Sequence, residues 1–492
     1  MARRAMRDSL DPETRDQLRR WLLFAIGAAG VAGILAVLIA MARVPALQVI
    51  SPSRSFSVLL VGHVTFSLII WLLAFVSIAA IYTGGVFLRE HAFLTASAGK
   101  AFGLVTLGSG LLLSAILAGR GNVILSDYVP VLETPAFFTG YAGFAAGIFL
   151  VVGSFLRGIA RHRGMALPLP VYGMTTVSAC VMITILALLG GIATVGSRTY
   201  HALFWGAGHA LQYVYVGVLS VTWYILAASA FGASPVSPKV SRFAFALYPM
   251  LALPIPFFYF LVDPVYLPRM ASVNTFFNVG LGLPTILHVL LIAVSVARAL
   301  SGRSRGWLRE VWRNPQGSAL ALSVLLFLVG GLLAPLGTPN TLKVTAHYHA
   351  MLVGGVTLAF MGLVYHLLPA IGRDINGVVS ARVQPYIFAL GVLVTVFTLA
   401  WAGSLGAPRK TVVAGTAMGF AWSAALNLMA LGAGLATLGG AIFVGSVLRT
   451  LVRVEPQLAR APETVGRNLS RIGVPTRIRS DSGRGTQIVQ RL

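Results

Sequence analysis

Twelve apolar runs follow one another along this chain, at about residues 21–43, 56–82, 101–119, 136–156, 171–195, 202–231, 243–261, 275–297, 318–336, 344–371, 384–406 and 416–448. Roughly 20 apolar residues cross the hydrocarbon core of a bilayer as a helix, and each run approaches or exceeds that length. Inside lipid the backbone amides have no water to bond, so a spanning segment must be a helix or a strand of a closed barrel. Runs this long without strict apolar–polar alternation exclude the barrel. The predicted fold class is all-α, a polytopic membrane protein built as a bundle of about twelve transmembrane helices.

Composition agrees. Of the 492 residues, 57% are hydrophobic and only 10% charged, whereas a soluble domain carries about 25% charge. A soluble enzyme and a disordered chain are both excluded. The balance of 37 Lys+Arg against 13 Asp+Glu gives +24, but the basic residues fall in short clusters between apolar runs. A nucleic-acid partner, which needs a contiguous basic patch, is not expected. With the amino terminus placed in the cytoplasm, 29 of the 37 cations lie on inside segments and 8 outside, as the positive-inside rule demands. The chain is therefore expected in the plasma (inner) membrane with both termini cytoplasmic. The first 20 residues are charged and the first apolar run is long enough to span, so no cleavable signal is predicted. Three regions follow: a cytoplasmic segment 1–20, a twelve-helix membrane domain 21–448, and a basic tail 449–492 that either stays disordered or lies on anionic membrane lipid. The lone Cys180 permits no disulfide within the chain and no thiolate metal cage. No internal repeat is evident, which weakens a transporter with duplicated halves.

Carboxylates are nearly absent from the spans; Glu90, Asp263 and Glu133 come closest, near helix ends. A proton-coupled transporter usually places an acid near the midplane. Histidines stand out instead. Six of the nine fall inside apolar runs: His63, His209, His288, His347, His349 and His366. Each is either a hydrogen-bonded packing residue or a ligand to a metal or haem iron. The densest stretch is Thr345-Ala-His-Tyr-His-Ala350. At 100° per residue, positions i and i+2 point about 200° apart, so His347 and His349 cannot chelate one ion. They can ligate different irons, holding two haems on opposite flanks of one helix, with His63 supplying a further axial ligand.

At these residues the chain resembles subunit I of the haem-copper oxidase superfamily. His347-Tyr-His-Ala-Met-Leu-Val-Gly-Gly, continuing to Met361-Gly-Leu-Val-Tyr-His-Leu-Leu-Pro369, is similar to the two-haem helix of that family. Leu203-Phe-Trp-Gly-Ala-Gly-His209-Ala-Leu-Gln-Tyr213 resembles its copper-ligand helix, where His and Tyr stand four apart. Trp401-Ala-Gly followed by Pro408-Arg409-Lys410 resembles the paired basic residues that hold haem propionates, and Asp127-Tyr-Val-Pro-Val131 leans toward the B-type branch. The resemblance runs in order over about residues 50–415. It implies two haems: a low-spin haem ligated by His63 and His349, and a high-spin haem on His347. It further implies His209 as a ligand of the second metal, copper or non-haem iron, with Tyr213 as its crosslinked, redox-active catalytic neighbour. Arg409 and Lys410 would neutralise the propionates.

One element departs from the family pattern. Before Asp263-Pro264, where an adjacent His pair would complete the copper site, stand Phe258 and Tyr259. A tight copper site wants several imidazoles. His288 either faces the same cavity or is a packed histidine bonded to a carbonyl one turn away. The implied activity is that of a respiratory terminal oxidase passing electrons from a cytochrome c-like donor to dioxygen. The lost histidine pair keeps open nitric oxide reduction, or a two-haem protein that only transfers electrons or senses gas. No soluble copper or haem domain occurs in the chain, so a membrane-anchored partner subunit through which electrons enter is expected.

Overall fold

A computed structural model of the chain describes residues 10–45, 54–88, 92–126, 128–162, 164, 166–196, 200–261, 271–301, 306–337, 340–375, 378–410 and 419–453. Among these, twelve helices are long and apolar enough to cross a membrane: α1 (Pro12–Arg43), α2 (Arg54–Phe87), α3 (Ala92–Ala118), α4 (Pro135–Arg161), α5 (Leu169–Ala193), α6 (Leu203–Phe231), α7 (Pro238–Tyr259), α8 (Gly280–Leu300), α9 (Pro315–Leu336), α10 (Leu342–Ala370), α11 (Val379–Ser404) and α12 (Phe420–Val452). A short antiparallel hairpin, β1 (Val123–Ile124) and β2 (Val131–Leu132), joins α3 to α4. The apolar runs and the helices correspond one to one.

Both ends of the bundle are longer than hydropathy indicates. α1 begins at Pro12, inside the segment expected before the first span. The Asp11 carboxylate accepts the Glu13 and Thr14 amides, each at 2.9 Å, and Pro12 needs no donor in the first turn. α12 continues to Val452, past the expected boundary at 448. The two extensions meet: the Arg19 guanidinium donates to the Leu451 carbonyl at 3.2 Å, so the two ends of the bundle share one face.

Three helices form the centre. The most apolar stretches of α2, α6 and α10 are each 83% buried within the protein, against 22–56% for the other nine. All three are even-numbered spans, so they enter from the face opposite the termini. His63, His209, His347 and His349 lie five to nine residues into them, a depth of about 8–14 Å. Common direction and similar offset bring the four histidines into one layer.

α2 and α10 also share a local irregularity. Thr65–Ile70 and His349–Thr357 wind with i→i+5 bonds, wider than an α-helix, a feature often found at functional sites. Wider winding releases carbonyls that lipid cannot satisfy. Neighbouring side chains take them up: Tyr215 of α6 donates to the Leu68 carbonyl at 2.7 Å, and Ser323 of α9 donates to the Gly355 carbonyl at 2.6 Å. Ser323 in turn accepts Trp223 Nε1 at 2.8 Å. Trp71 bonds Thr357 at 3.3 Å, and Phe75 stacks on Phe360 at 4.6 Å, which locks the two irregular segments together.

Removing the Tyr215 hydroxyl strands the buried Leu68 carbonyl, a loss of about 1–3 kcal/mol. Tyr215→Phe is expected to lower the thermal midpoint of the detergent-solubilised protein, while Tyr172→Phe, near the surface of α5, leaves it unchanged; differential scanning fluorimetry reads both.

Candidate functional site

His63 and His349 line one cavity of about 530 Å³ between α1, α2, α10, α11 and α12. The His63 Nδ1–H donates to the Ala32 carbonyl of α1 at 3.1 Å, and the His349 Nδ1–H donates to the Thr345 carbonyl one turn back at 2.8 Å. A carbonyl only accepts, so each neutral ring carries its proton on Nδ1 and keeps the Nε2 lone pair for another partner. That tautomer is the one an axial iron ligand requires. Apart from these histidines and a few hydroxyls, the walls near the rings are mostly apolar, including Leu60, Leu68, Leu352 and Met429. Size, shape of lining and paired imidazoles all fit a flat apolar macrocycle.

His347 points away from this cavity. Its Nδ1–H donates to the Gly330 carbonyl of α9 at 2.8 Å, again leaving Nε2. The approach of α9 depends on glycine: a Cβ at Gly330 would stand 3.0 Å from the Met351 amide nitrogen. The two histidines of the His-Tyr-His stretch thus serve opposite flanks of α10, as their spacing predicts.

Three cations line the end of the cavity away from the termini. Arg409 and Lys410 are brought there by a junction of two loops. Asn340 adopts φ 62°, a left-handed conformation that Asn tolerates better than most residues. Its carbonyl accepts the Arg409 amide at 3.1 Å, and the Ala407 carbonyl accepts the Leu342 amide at 2.9 Å. Lys410 Nζ donates to the Leu125 carbonyl beside the β1–β2 hairpin at 2.5 Å, and lies 5.6 Å from the Trp205 ring centroid. The third cation, Arg43, was not singled out from the sequence. It ends α1, is only 9% exposed, donates to the Arg409 carbonyl and sits 5.0 Å from the Phe56 ring centroid. Its Nε has no hydrogen-bond partner among the described residues. A buried guanidinium is costly without an anion, so Arg43 fits an acidic group in the cavity. The sequence signal was an arginine flanked by Ala42 and Val44 at the very end of a span. Trp401, which the sequence grouped with Arg409 and Lys410, instead stands 45% exposed on the outside of α11.

A second group of residues lies around His209. Its Nδ1 is 2.9 Å from the Trp205 carbonyl and 3.2 Å from the Tyr259 hydroxyl. The rings of His209 and Tyr259 are nearly parallel at 15°, with centroids 5.4 Å apart, and Trp205 stacks at 5.9 Å. Phe258 is edge-on to Tyr259 at 5.8 Å. Tyr213, one turn along α6, is buried, with its hydroxyl facing Gly280 of α8. Tyr259 is therefore the tyrosine brought against His209 by a hydrogen bond, a residue the sequence marked only as a substitution. Asp263 and Pro264 lie outside the described residues.

His288 does not reach this region. It lies 17 residues into the helix that starts at Ala271, about 26 Å along the axis, near the termini side. There it is wholly buried among Phe245, Tyr248 and Tyr224, with Nδ1 3.2 Å from the Tyr224 hydroxyl and no hydrogen-bond partner for Nε2 among the described residues. His366, deeper still in α10, has Nε2 2.9 Å from the Tyr82 hydroxyl.

Comparison with known proteins matches residues 17–438 to the family model for cytochrome c and quinol oxidase polypeptide I. The chain belongs to the haem-copper oxidase subunit I family. It is 26% identical over 390 residues to cytochrome c oxidase subunit 1 of Thermus thermophilus, covering 72% of this chain and 69% of that one. An uncharacterised protein of Aquifex aeolicus is 29% identical over 353 residues, covering 70% and 83%. An uncharacterised Rickettsia prowazekii protein is 23% identical over 486 residues, covering 86% and 94%. The fold matches a haem-copper terminal oxidase dimer solved by cryo-EM with a TM-score of 0.76 at 19% identity, covering 90% of this chain and 85% of that one.

The haem-copper oxidase family binds haems and copper, and the residues present fit these groups unequally. The His63–His349 cavity and His347 suit haem. The copper position of this subunit I-like chain does not suit copper: among the described residues no three His, Cys, Asp or Glu side chains converge on a metal position. One imidazole, a phenol and a phenyl ring replace the several imidazoles that hold copper tightly.

Purified protein is accordingly expected to retain well under one copper per chain. Phe258→His combined with Tyr259→His should raise that ratio toward one, as read by metal analysis. Near-stoichiometric copper in the unaltered protein, with three nitrogen ligands by X-ray absorption, would overturn the assignment.

Proposed function

We propose that this subunit I-like chain is the catalytic component of a respiratory terminal oxidase. Electrons from a cytochrome c-like donor, entering through a partner subunit, pass by way of a low-spin haem between His63 and His349 to a high-spin haem on His347, where dioxygen is reduced to water. The observation that carries this reading is the single cavity that holds both His63 and His349 beneath Arg43, Arg409 and Lys410. Bound haem iron supplies one-electron transfer on one flank of α10 and gas binding on the other. The protein's own part is positional. Carbonyls from α1, α9 and α10 orient the three imidazoles, and the cations neutralise carboxylates at the edge away from the termini. Lys410, near both the cavity and the Trp205 ring, couples electrostatically to both flanks.

Reduction of dioxygen consumes protons, and no carboxylate among the described residues lies in mid-span. Hydroxyls and an imidazole supply the route in this reading. The Tyr224 hydroxyl lies 2.9 Å from Ser241 and 3.2 Å from His288, while Tyr248 lies 3.2 Å from Ser220 and 3.3 Å from Thr285. The His288 ring, stacked on Tyr248 at 5.8 Å, joins these two clusters between α6, α7 and α8. In this reading the phenol that donates at the reacting gas is Tyr213, or Tyr259, whose hydroxyl lies 3.2 Å from His209.

A second reading rests on the Phe258–Tyr259 pair. With one imidazole near the second-metal position, reduction of nitric oxide with non-haem iron competes with four-electron reduction of dioxygen. Metal content and turnover of each gas by the protein with its electron-donating partner separate the two.

His63→Ala and His349→Ala are each expected to abolish the six-coordinate low-spin spectrum while leaving the other haem; an unchanged signal in both overturns the ligand assignment. Lys410→Met is expected to lower the midpoint potential of the low-spin haem. Lys410 lines the cavity, and removing a positive charge there disfavours the added electron, so the midpoint should fall by tens of millivolts in a redox titration.

A further inference from the structure

A stripe on α11 faces outward along the whole helix. Val379, Val383, Leu390 and Phe397 are 69, 44, 53 and 56% exposed and fall within about 40° of one another at 100° per residue. From Val379 to Phe397 the stripe rises about 27 Å, close to the roughly 30 Å thickness of bilayer hydrocarbon. Tyr386 and Arg382 border it within the same arc of about 100°. At the termini end the seven-residue helix Trp307–Arg313 lies across this border. Trp312, 63% exposed, packs against Tyr386 with ring centroids 4.0 Å apart and planes tilted by 36°.

The border is cationic. Arg309, Trp312 and Arg313 share one exposed face of the short helix by their i, i+3, i+4 spacing, and Arg382 sits one turn from Tyr386. None of the three arginines pairs with a carboxylate among the described residues. The Arg382 Nε is buried without a hydrogen-bond partner among the described residues. The position of the short helix is fixed, since the Asn314 amide donates to the Val311 carbonyl at 3.2 Å and the Asn314 side chain caps α9. Two aromatic rings, guanidinium groups on the two elements that the ring pair joins, and an apolar stripe that continues about 16 Å from Tyr386 to Phe397 have one ligand chemistry in common.

We propose that Arg382, Arg313 and Arg309, with the Trp312–Tyr386 pair, form a binding site for the phosphate headgroup of an anionic phospholipid whose acyl chains run along Val383, Leu390 and Phe397. The guanidinium groups bond the phosphate oxygens, and the rings stand at the interface where Trp and Tyr are favoured. The site lies on the outside of α11, apart from the haem cavity.

The test uses the full chain in nanodiscs containing brominated phosphatidylglycerol or brominated phosphatidylcholine, with Trp312→Phe defining the Trp312 share of the fluorescence. Quenching of that share should be several-fold stronger with phosphatidylglycerol. Arg382→Gln with Arg313→Gln should erase the preference, and Arg382→Lys with Arg313→Lys should keep most of it. Equal quenching by both lipids overturns the proposal, as does a preference that survives the glutamine pair or is lost equally in the lysine pair. Abolition of the preference by inorganic phosphate would mark a free-anion site and likewise overturn it.

Discussion

Each of the four histidines near the far face of the bundle has its Nδ1 against a backbone carbonyl: His63 on Ala32, His349 on Thr345, His347 on Gly330 and His209 on Trp205. In lipid an imidazole N–H has no water to bond, and a buried unsatisfied donor costs about 1–3 kcal/mol. For His63, His347 and His349 the carbonyl settles the tautomer and hence which nitrogen keeps its lone pair. The helix carrying the accepting carbonyl then becomes part of the site. α1 and α9, which carry none of the four histidines, orient His63 and His347. Glycine at 330 and the wider turns of α2 and α10 follow from the same need to bring carbonyls and rings together.

The cationic end of the cavity meets a different requirement. Arg43, Arg409 and Lys410 come from two distant parts of the chain, and like charges this close repel unless anions or oriented carbonyls intervene. Part of that compensation is visible: Arg43 donates to the Arg409 carbonyl and Lys410 to that of Leu125. The orphaned Nε of Arg43 leaves capacity for an acid. A haem, unlike a simple apolar ligand, carries two carboxylates as well as a large apolar face, and this cavity offers a complement to both.

Family membership and site chemistry diverge at the second metal. The chain has His209, and Tyr259 stacks beside it with its hydroxyl 3.2 Å from the imidazole Nδ1. A phenol and a phenyl ring give aromatic packing beside His209 and bring no nitrogen donor. A fold can therefore conserve the shape of this pocket while its metal preference changes, because packing depends on ring volume and coordination on lone pairs.

Hydropathy alone determined the twelve spans, because lipid forces every crossing segment to satisfy its own backbone and so to be long and apolar. The spacing of His347 and His349 likewise determined that they serve opposite flanks of α10, since helical periodicity leaves no other geometry. The same pattern could not tell central helices from peripheral ones: α2, α6 and α10 are no more apolar than the peripheral α1, and lipid and protein interior look alike to a hydropathy scale. Nor could it place Arg43 in the cavity, Tyr259 on His209, or His288 far from it. Those contacts join residues tens to hundreds of positions apart, and only the packing of whole helices decides which of their faces meet.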